Sequence, residues 1–431
     1  MNNLVWFRND LRVQDNTSLH KALNGEKVIG VYCFDDIYFK KDEFGFNKTE
    51  KFRAQFLIQT IMQLESNLKA LNIPLFIYIG DSGTHIPQLI KEHQITRVYL
   101  QKEWTRDENN ILANVKAGVP STIAFEETLD QFLFHPEDIP YPNFNAIPEV
   151  FTNFRKKCEK EVSVKHCIAN DKILSKEKFF KTNTSIPTLS ELNLEEFDTD
   201  SRSAFPFHGG ENEALKRIAH YFWETEKLAY YKKTRNGLVG NDYSSKLSPW
   251  LANGSISGRT IYWEVKRFEK EVKKNQDTYW LIFELIWRDY FKYVSLKHQN
   301  NIFKIGGILE KEYDWHTTKI AREEWIRGNT NEPFVNANMK ELAITGWMSN
   351  RGRQNVASFW AKELKQDWRI GAAYFESMLL DYDVHSNWGN WMYNSGVGND
   401  PRDRKFNIAR QADIYDAQGK FQRLWLQESL F

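Results

Sequence analysis

The sequence predicts an α/β domain built on a parallel, doubly wound sheet, followed by an all-α domain. Strand-length apolar runs alternate with helical patterns over residues 1–130. From residue 205 to residue 431 the periodicity is helical only. Between them, residues 131–204 form a proline-rich connector. A chain of 431 residues exceeds what one ordinary core organises, so two domains are expected.

The five strand runs are Leu4–Phe7, Val28–Tyr32, Leu75–Ile79, Val98–Leu100 and Thr122–Phe125, all short and rich in β-branched or aromatic residues. The clearest helix among them is Lys51–Leu71, where Phe52, Phe56, Ile61, Leu64, Leu68 and Leu71 recur at helical spacing. Such alternation implies parallel strands covered by helices on both faces. Neither a GxGxxG fingerprint nor a Walker loop follows the first strand. Instead comes Arg8-Asn9-Asp10-Leu11-Arg12-Val13-Gln14-Asp15-Asn16, which reads as a polar loop ending in an N-cap. The connector carries Pro136, Pro140, Pro142, Pro148, Pro187 and the charged run Asp171–Lys181, and a segment this long is expected to wrap the surface. Beyond it, helices with one apolar face are predicted at Glu211–Lys227, Gly258–Lys274, Thr278–His298, Ile320–Ile326, Asn336–Ile344, Asn355–Leu364 and Ala372–Leu379.

A hydrophobic share of 41% with 27% charged residues fits a soluble globular protein and excludes a disordered one. The net charge of +1 supplies no global attraction to nucleic acid, so any basic surface is local. The 15 Trp, 18 Tyr and 30 Phe are the outlier, filling a large helical core or serving flat ligands. Cys33, Cys158 and Cys167 form no CxxC, which points to a reducing compartment without structural disulfides. No HExxH, zinc-finger or EF-hand spacing is present, so no metal site is expected. The N-terminus lacks signal-peptide design, and no run of about 20 apolar residues exists to span a bilayer. A cytoplasmic protein is expected.

The stretch Thr345–Asp403 mixes tryptophans with arginines, carboxylates and amides. Buried polar groups need partners, so this mixture suits the surroundings of a large, flat, polar-edged ligand. Within it, Asn350 and Arg353 share a helical face, and Asp381 or Asp383 could hold Arg353 through a forked ion pair. Upstream, Ser244-Ser245-Lys246-Leu247-Ser248-Pro249 reads equally as an anion site at a helix start and as an ordinary cap. Glu284, Trp287 and Arg288 fall on one face, either capping a polar aromatic substrate or forming an intrahelical ion pair over a core indole.

These motifs break the tie. Val5-Trp6-Phe7-Arg8-Asn9-Asp10-Leu11-Arg12 with Asp15-Asn16 resembles the N-terminal signature of the photolyase/cryptochrome family, and Ser244–Trp250, Glu284–Asp289, Trp347–Arg353 and Asp381–Trp391 match its flavin-domain motifs in order. Asn350–Gln354, Leu380–Asp383, Ser386–Trp391 and Gly396–Arg402 resemble its cryptochrome DASH branch. The resemblance covers nearly the whole chain. It implies an all-α FAD-binding domain with FAD folded into a U, which accounts for the missing dinucleotide fingerprint. By motif position, Tyr231, Ser244, Ser245, Lys246, Leu247 and Ser248 would hold the diphosphate, with Arg288 near the cofactor. Arg353 and Asp381 would pair beside the isoalloxazine, Asp383 would meet the ring or ribityl edge, and Asn387 would face flavin N5 and tune it.

The resemblance further implies light-driven repair of cyclobutane pyrimidine dimers, mainly in single-stranded DNA. Glu284 and Asn350 would contact the flipped dimer, and Trp287 with Tyr393 would wall it. Gln354 and Tyr393 stand where classical photolyases carry Met and Trp, matching the DASH pattern and making the walls more polar. Trp391, Trp368 and Trp315 occupy the positions of the family's electron-carrying tryptophan chain. Methenyltetrahydrofolate is the implied antenna in the α/β domain, with Glu103 as its contact. A monomer acting on DNA, away from membranes, is expected.

Two rivals belong to other classes. A blue-light photoreceptor binding nucleic acid or a partner without repair would be expected to carry a long signalling tail, which the sequence ending at Phe431 lacks. A dark α/β oxidoreductase would need the absent glycine fingerprint.

Overall fold

A computed structural model describes residues 1–427; the last four residues of the expected helical region lie outside them. Strands β1 (Asn2–Trp6), β2 (Lys27–Phe34), β3 (Leu75–Ile79), β4 (Arg97–Gln101) and β5 (Ala124–Thr128) form one parallel sheet in the order β3-β2-β1-β4-β5. Leu4 stands between Ile29 and Val98, and all three are buried. Such apolar central strands need cover on both faces. Helix Lys51–Ala70 supplies Ile61, Leu64 and Leu68 against Val5 and Phe7 on one side. Helices Ser82–Glu92 and Arg106–Ala117 supply Ile86, Leu89 and Val115 against Leu4 and Trp6 on the other. The predicted last strand begins later than its apolar run, because pairing with β4 sets Ala124 opposite Arg97.

Strand order reverses between β1 and β4, so their C-terminal ends open a crevice of the kind that holds ligands in doubly wound sheets. The loop after β1 closes one side of it. Asn16 is the predicted N-cap, accepting from Leu19 N at 2.9 Å. The loop also clasps the helical half. Arg12 donates to Gly254 O at 2.9 Å, and Asp15 receives Arg259 Nε at 3.0 Å and Nη2 at 2.9 Å. Arg259 also reaches Asp130 at 3.0 Å. Gly254 sits at φ +72°, and a Cβ there would stand 1.9 Å from Asn9 O.

Residues 131–204 are more than a surface wrap. They contain helix Phe151–Glu161, and Phe132, Leu133, Phe134, Phe151 and Phe154 are buried in the helical domain's core. Asp289 anchors the start of this segment by accepting Leu133 N and Phe134 N, each at 2.8 Å. The sequence signal was present in Phe151, Phe154 and Cys158 at helical spacing, but surrounding prolines and charges masked it.

The helical half packs aromatic residues at its centre, with Trp250, Trp325, Trp360, Trp368 and Trp391 fully buried. The helices that carry the motifs are Gln276–His298, Asn350–Ser358, Trp368–Met378 and Val384–Ser395. The last escaped sequence prediction because VHSNWGNWMYNS has no aliphatic stripe; Asn387, Trp388, Trp391 and Asn394 are buried by neighbours rather than by amphipathic design. No helix among the described residues is long and apolar enough to cross a membrane.

Candidate cofactor and substrate site

A cavity of about 250 Å³ in the helical half is lined by Tyr231, Arg235, Ser244–Ser248, Glu284, Arg288, Asn350, Arg353, Asp381 and Asp383. A second, of about 100 Å³, adds Gln354, Asn387 and Trp391. Both are lined by Asn350, Arg353, Asp381 and Asp383, so the two cavities adjoin at these residues.

Local structure explains each wall. Ser349 caps helix Asn350–Ser358 by accepting from Gly352 N at 3.0 Å, which brings Asn350 and Arg353 to the cavity one turn apart. The forked Arg353–Asp381 pair expected from sequence is different in detail. Nη2 alone meets both carboxylate oxygens, at 2.9 Å each, because Nε is taken by Met348 O at 3.0 Å. Ser248 Oγ also donates to Asp381, at 2.7 Å, so this hydroxyl serves the acid. Asp383 caps helix Val384–Ser395 through Ser386 N at 2.8 Å and pairs with Lys292 at 3.0 Å. Burial pushes the Asp383 carboxyl up, but the Lys292, His385 and Arg288 charges outweigh it and hold it well below the usual carboxylate range. Asn387 is buried and donates one N–H of its amide to Ala372 O at 3.0 Å, which leaves the amide oxygen and the second N–H to offer the cavity.

The Ser244–Ser248 turn is held from outside by Arg217, which donates to Ser245 O at 2.9 Å, Ser244 O at 3.0 Å and Asp242 at 2.6 Å. Sequence reading missed this arginine, since nothing local links it to a turn 28 residues away. Lys246 takes φ +60°, and its ammonium turns onto the Tyr243 ring at 3.4 Å and the Trp347 ring at 4.5 Å. Among the described residues that ammonium has no hydrogen-bond partner, and burial drives its pKa far down. An anion at this turn could meet backbone N–H groups and hydroxyls in a nest.

Glu284 does not pair with Arg288 on its own helix. Arg235 holds it at 2.8 Å, a cation that sequence reading also missed although it stands in Lys232-Lys233-Thr234-Arg235. Burial raises the Glu284 pKa, opposed by Arg235. Arg288 instead donates to Gln131 O at 2.7 Å and Leu251 O at 2.9 Å. One face of Trp287 stacks on Phe151 at 3.7 Å, while Tyr393 meets it edge-on at 6.1 Å and 89°. Gln354 accepts from Arg351 Nη1 at 2.8 Å, so its carbonyl is engaged.

Of the three tryptophans expected as a relay, Trp391 lines the second cavity. Trp391 packs on Phe375 at 5.1 Å and Trp325 at 6.2 Å. Trp368 donates to Ile305 O at 2.8 Å and meets Trp388 at 5.7 Å. Trp315 is half-buried beside Tyr313 at 5.3 Å.

A third cavity, of about 160 Å³, occupies the crevice at the ends of β1 and β4. Glu103 lines it, buried, accepting from Gln101 Nε2 at 2.8 Å. Burial lifts its pKa to about 6. Arg8 Nη1, Gln101 Oε1, Gln131 Oε1 and His385 Nε2 are buried without partners among the described residues, and all four side chains line this cavity. Arg288 and Asp383 border both this space and the helical one.

Comparison with known proteins fits this geometry. The DNA photolyase family model matches residues 3–172, and the FAD binding domain of DNA photolyase matches residues 280–429. Cryptochrome DASH of Synechocystis sp. is 45% identical over 99% of this chain and 87% of its own length. The chain belongs to the cryptochrome DASH family. The cryptochrome DASH of Xenopus laevis is 43% identical, over 98% of this chain and 82% of that protein. The fold agrees: the crystal structure of the Synechocystis sp. cryptochrome superposes with a TM-score of 0.94 at 44% identity, covering 99% of this chain and 89% of that one. In this cryptochrome DASH the FAD-binding match takes in the helices bearing Glu284, Arg353, Asp381 and Asn387, whereas Tyr231 and Ser244–Ser248 precede it.

Proposed function

We propose that this cryptochrome DASH is an FAD-dependent photolyase that reverses cyclobutane pyrimidine dimers, chiefly in single-stranded DNA. The observation that carries the reading is convergence on one cavity. Glu284 and Asn350 line the same space as the Arg353–Asp381 pair, and Glu284's partner is a cation at the rim rather than its own helix.

The residues fit a flavin dinucleotide. The left-handed turn at Lys246, braced by Arg217, offers backbone donors to a diphosphate alongside Ser244 and Ser245. Tyr231 and Leu247 complete that wall, and Arg288 closes it toward the α/β half. Arg353, neutralised by Asp381, borders the place for the isoalloxazine, with Asp383 and Asn387 beside it. When bound and reduced, FAD supplies the light-excited electron that opens the cyclobutane ring and takes it back afterwards. The chain's own residues do the rest. Glu284 and Asn350 hydrogen-bond the flipped dimer where charge develops, and Trp287 with Tyr393 excludes water around it. Flipping costs a few kcal/mol and least from single strands, so the polar walls at Gln354 and Tyr393 favour unpaired substrate. Trp391, Trp368 and Trp315 carry electrons from the surface.

In the interdomain crevice, methenyltetrahydrofolate is the proposed antenna. Glu103 would accept from its ring N–H groups, and the unpartnered polar atoms of Arg8, Gln101, Gln131 and His385 would supply a further donor and further acceptors to it.

The test is direct. Purified protein loaded with FAD is reduced and illuminated with dimer-containing single-stranded and duplex DNA, and restored bases are counted. Glu284→Ala should retain FAD yet repair about tenfold more slowly, the worth of one hydrogen bond to a charged group. Repair at the wild-type rate would end the role given to Glu284. Bound FAD without any repair would favour the photoreceptor reading.

A further inference from the structure

We propose that Tyr313 is a terminal electron donor beyond Trp315, with Asp403 as the base that takes its proton. The proposal rests on the reading of Trp315 as the outer end of the tryptophan relay. Tyr313 and Trp315 lie with ring centres 5.3 Å apart at 62°. The Tyr313 hydroxyl donates to Asp403 Oδ2 at 3.0 Å, with a longer approach to Gly396 O at 3.3 Å. At 37% exposure the ring reaches solvent, where an external reductant can meet it.

Two features make the step proton-coupled. The Lys362 ammonium lies 4.9 Å over the Tyr313 ring, so a positive charge on that ring would be repelled. Asp403 is paired with Lys362 and stays ionised, since that pairing outweighs burial and lowers its pKa. It is therefore ready to accept. The Trp315 indole N–H has no partner among the described residues, so an oxidised Trp315 has no adjacent base of its own. The step balances. One electron passes from Tyr313 to the one-electron-oxidised Trp315, which returns to neutral tryptophan; the Tyr313 O–H proton moves to Asp403, leaving a neutral phenoxyl radical. No further reagent enters.

Selective one-electron oxidation of indoles by azide radicals in the full-length chain, followed by pulse radiolysis, tests the step without flavin. The wild type should show a concentration-independent conversion of indolyl to phenoxyl absorption that Tyr313→Phe removes. Asp403→Asn keeps the fold and the hydrogen bond but not the base, and should slow it about tenfold. In parallel, the illuminated FAD-loaded protein carrying ring-deuterated tyrosine should give a narrowed electron paramagnetic resonance signal that is lost in Tyr313→Phe. A phenoxyl phase that survives Tyr313→Phe, or an unchanged rate in Asp403→Asn, overturns the proposal. If azide oxidation yields the Tyr313 radical and illumination does not, the donor pair stands and the relay reading fails.

Discussion

At the residue scale the chemistry depends on how each acid is partnered. Glu103, like Glu376, is an acid lining the crevice that burial shifts toward neutral pH. Burial raises it from 4.5 to about 6, so the folded chain binds its proton more tightly than the unfolded chain does. Its contribution to stability is therefore full at low pH and declines as pH rises through about 6. Ligand binding runs the other way, because ring N–H donors need the carboxylate. Folate retained through gel filtration should fall as pH drops below about 6, and Glu103→Gln should bind less and lose that dependence. Folate binding flat across this range would remove Glu103 from the antenna site. Arg235 and Arg217 show the limit of motif reading: each acts on a residue far away in sequence, and only the folded chain brings them there.

At the element scale, helix Val384–Ser395 bears Asn387 and Trp391 and begins at Asp383. Asp383 both caps it and neutralises buried Lys292. Asp383→Asn can still cap the helix but leaves Lys292 unpaired, an expected loss of about 3 kcal/mol in urea unfolding of the flavin-free protein. Asp383→Ala should lose about 1 kcal/mol more, the value of the cap. Equal losses in the two variants would show that the cap contributes nothing. The neighbouring helix Asn350–Ser358 was expected from Asn355 onward; its first turn, with Asn350, Arg351 and Arg353, is too polar to show apolar periodicity and is started by the Ser349 cap.

At the scale of the molecule, the loop after β1 joins the two halves. Arg259 satisfies Asp15 and Asp130, all three buried, so Arg259→Ala leaves two carboxylates without their cation. A loss of about 3–5 kcal/mol is expected, read by thermal unfolding, together with weaker folate retention because the crevice lies along this seam. Gly254→Ala should weaken the same seam, as its methyl group would overlap Asn9 O. Unchanged melting in both variants would mean the clasp is dispensable.

The sequence by itself determined the layout and the family. Strand-sized apolar runs yielded all five strands: β1 to β4 are apolar because parallel strands covered on both faces are buried, while edge strand β5 showed only through the run that precedes and enters it. Long ordered motifs brought Glu284, Asn350, Arg353, Asp381, Asp383 and Asn387 forward, and the fold assembles them around two adjoining cavities. Tertiary structure alone decided the partners: Arg235 rather than Arg288 for Glu284, Met348 O as well as Asp381 for Arg353, Phe151 behind Trp287. It alone revealed the buried role of the connector and the clasp hidden in a polar loop. Periodicity reports which face of an element is apolar. It carries no record of which distant side chain will reach across to a hydrogen-bonding group, because that depends on how the elements pack.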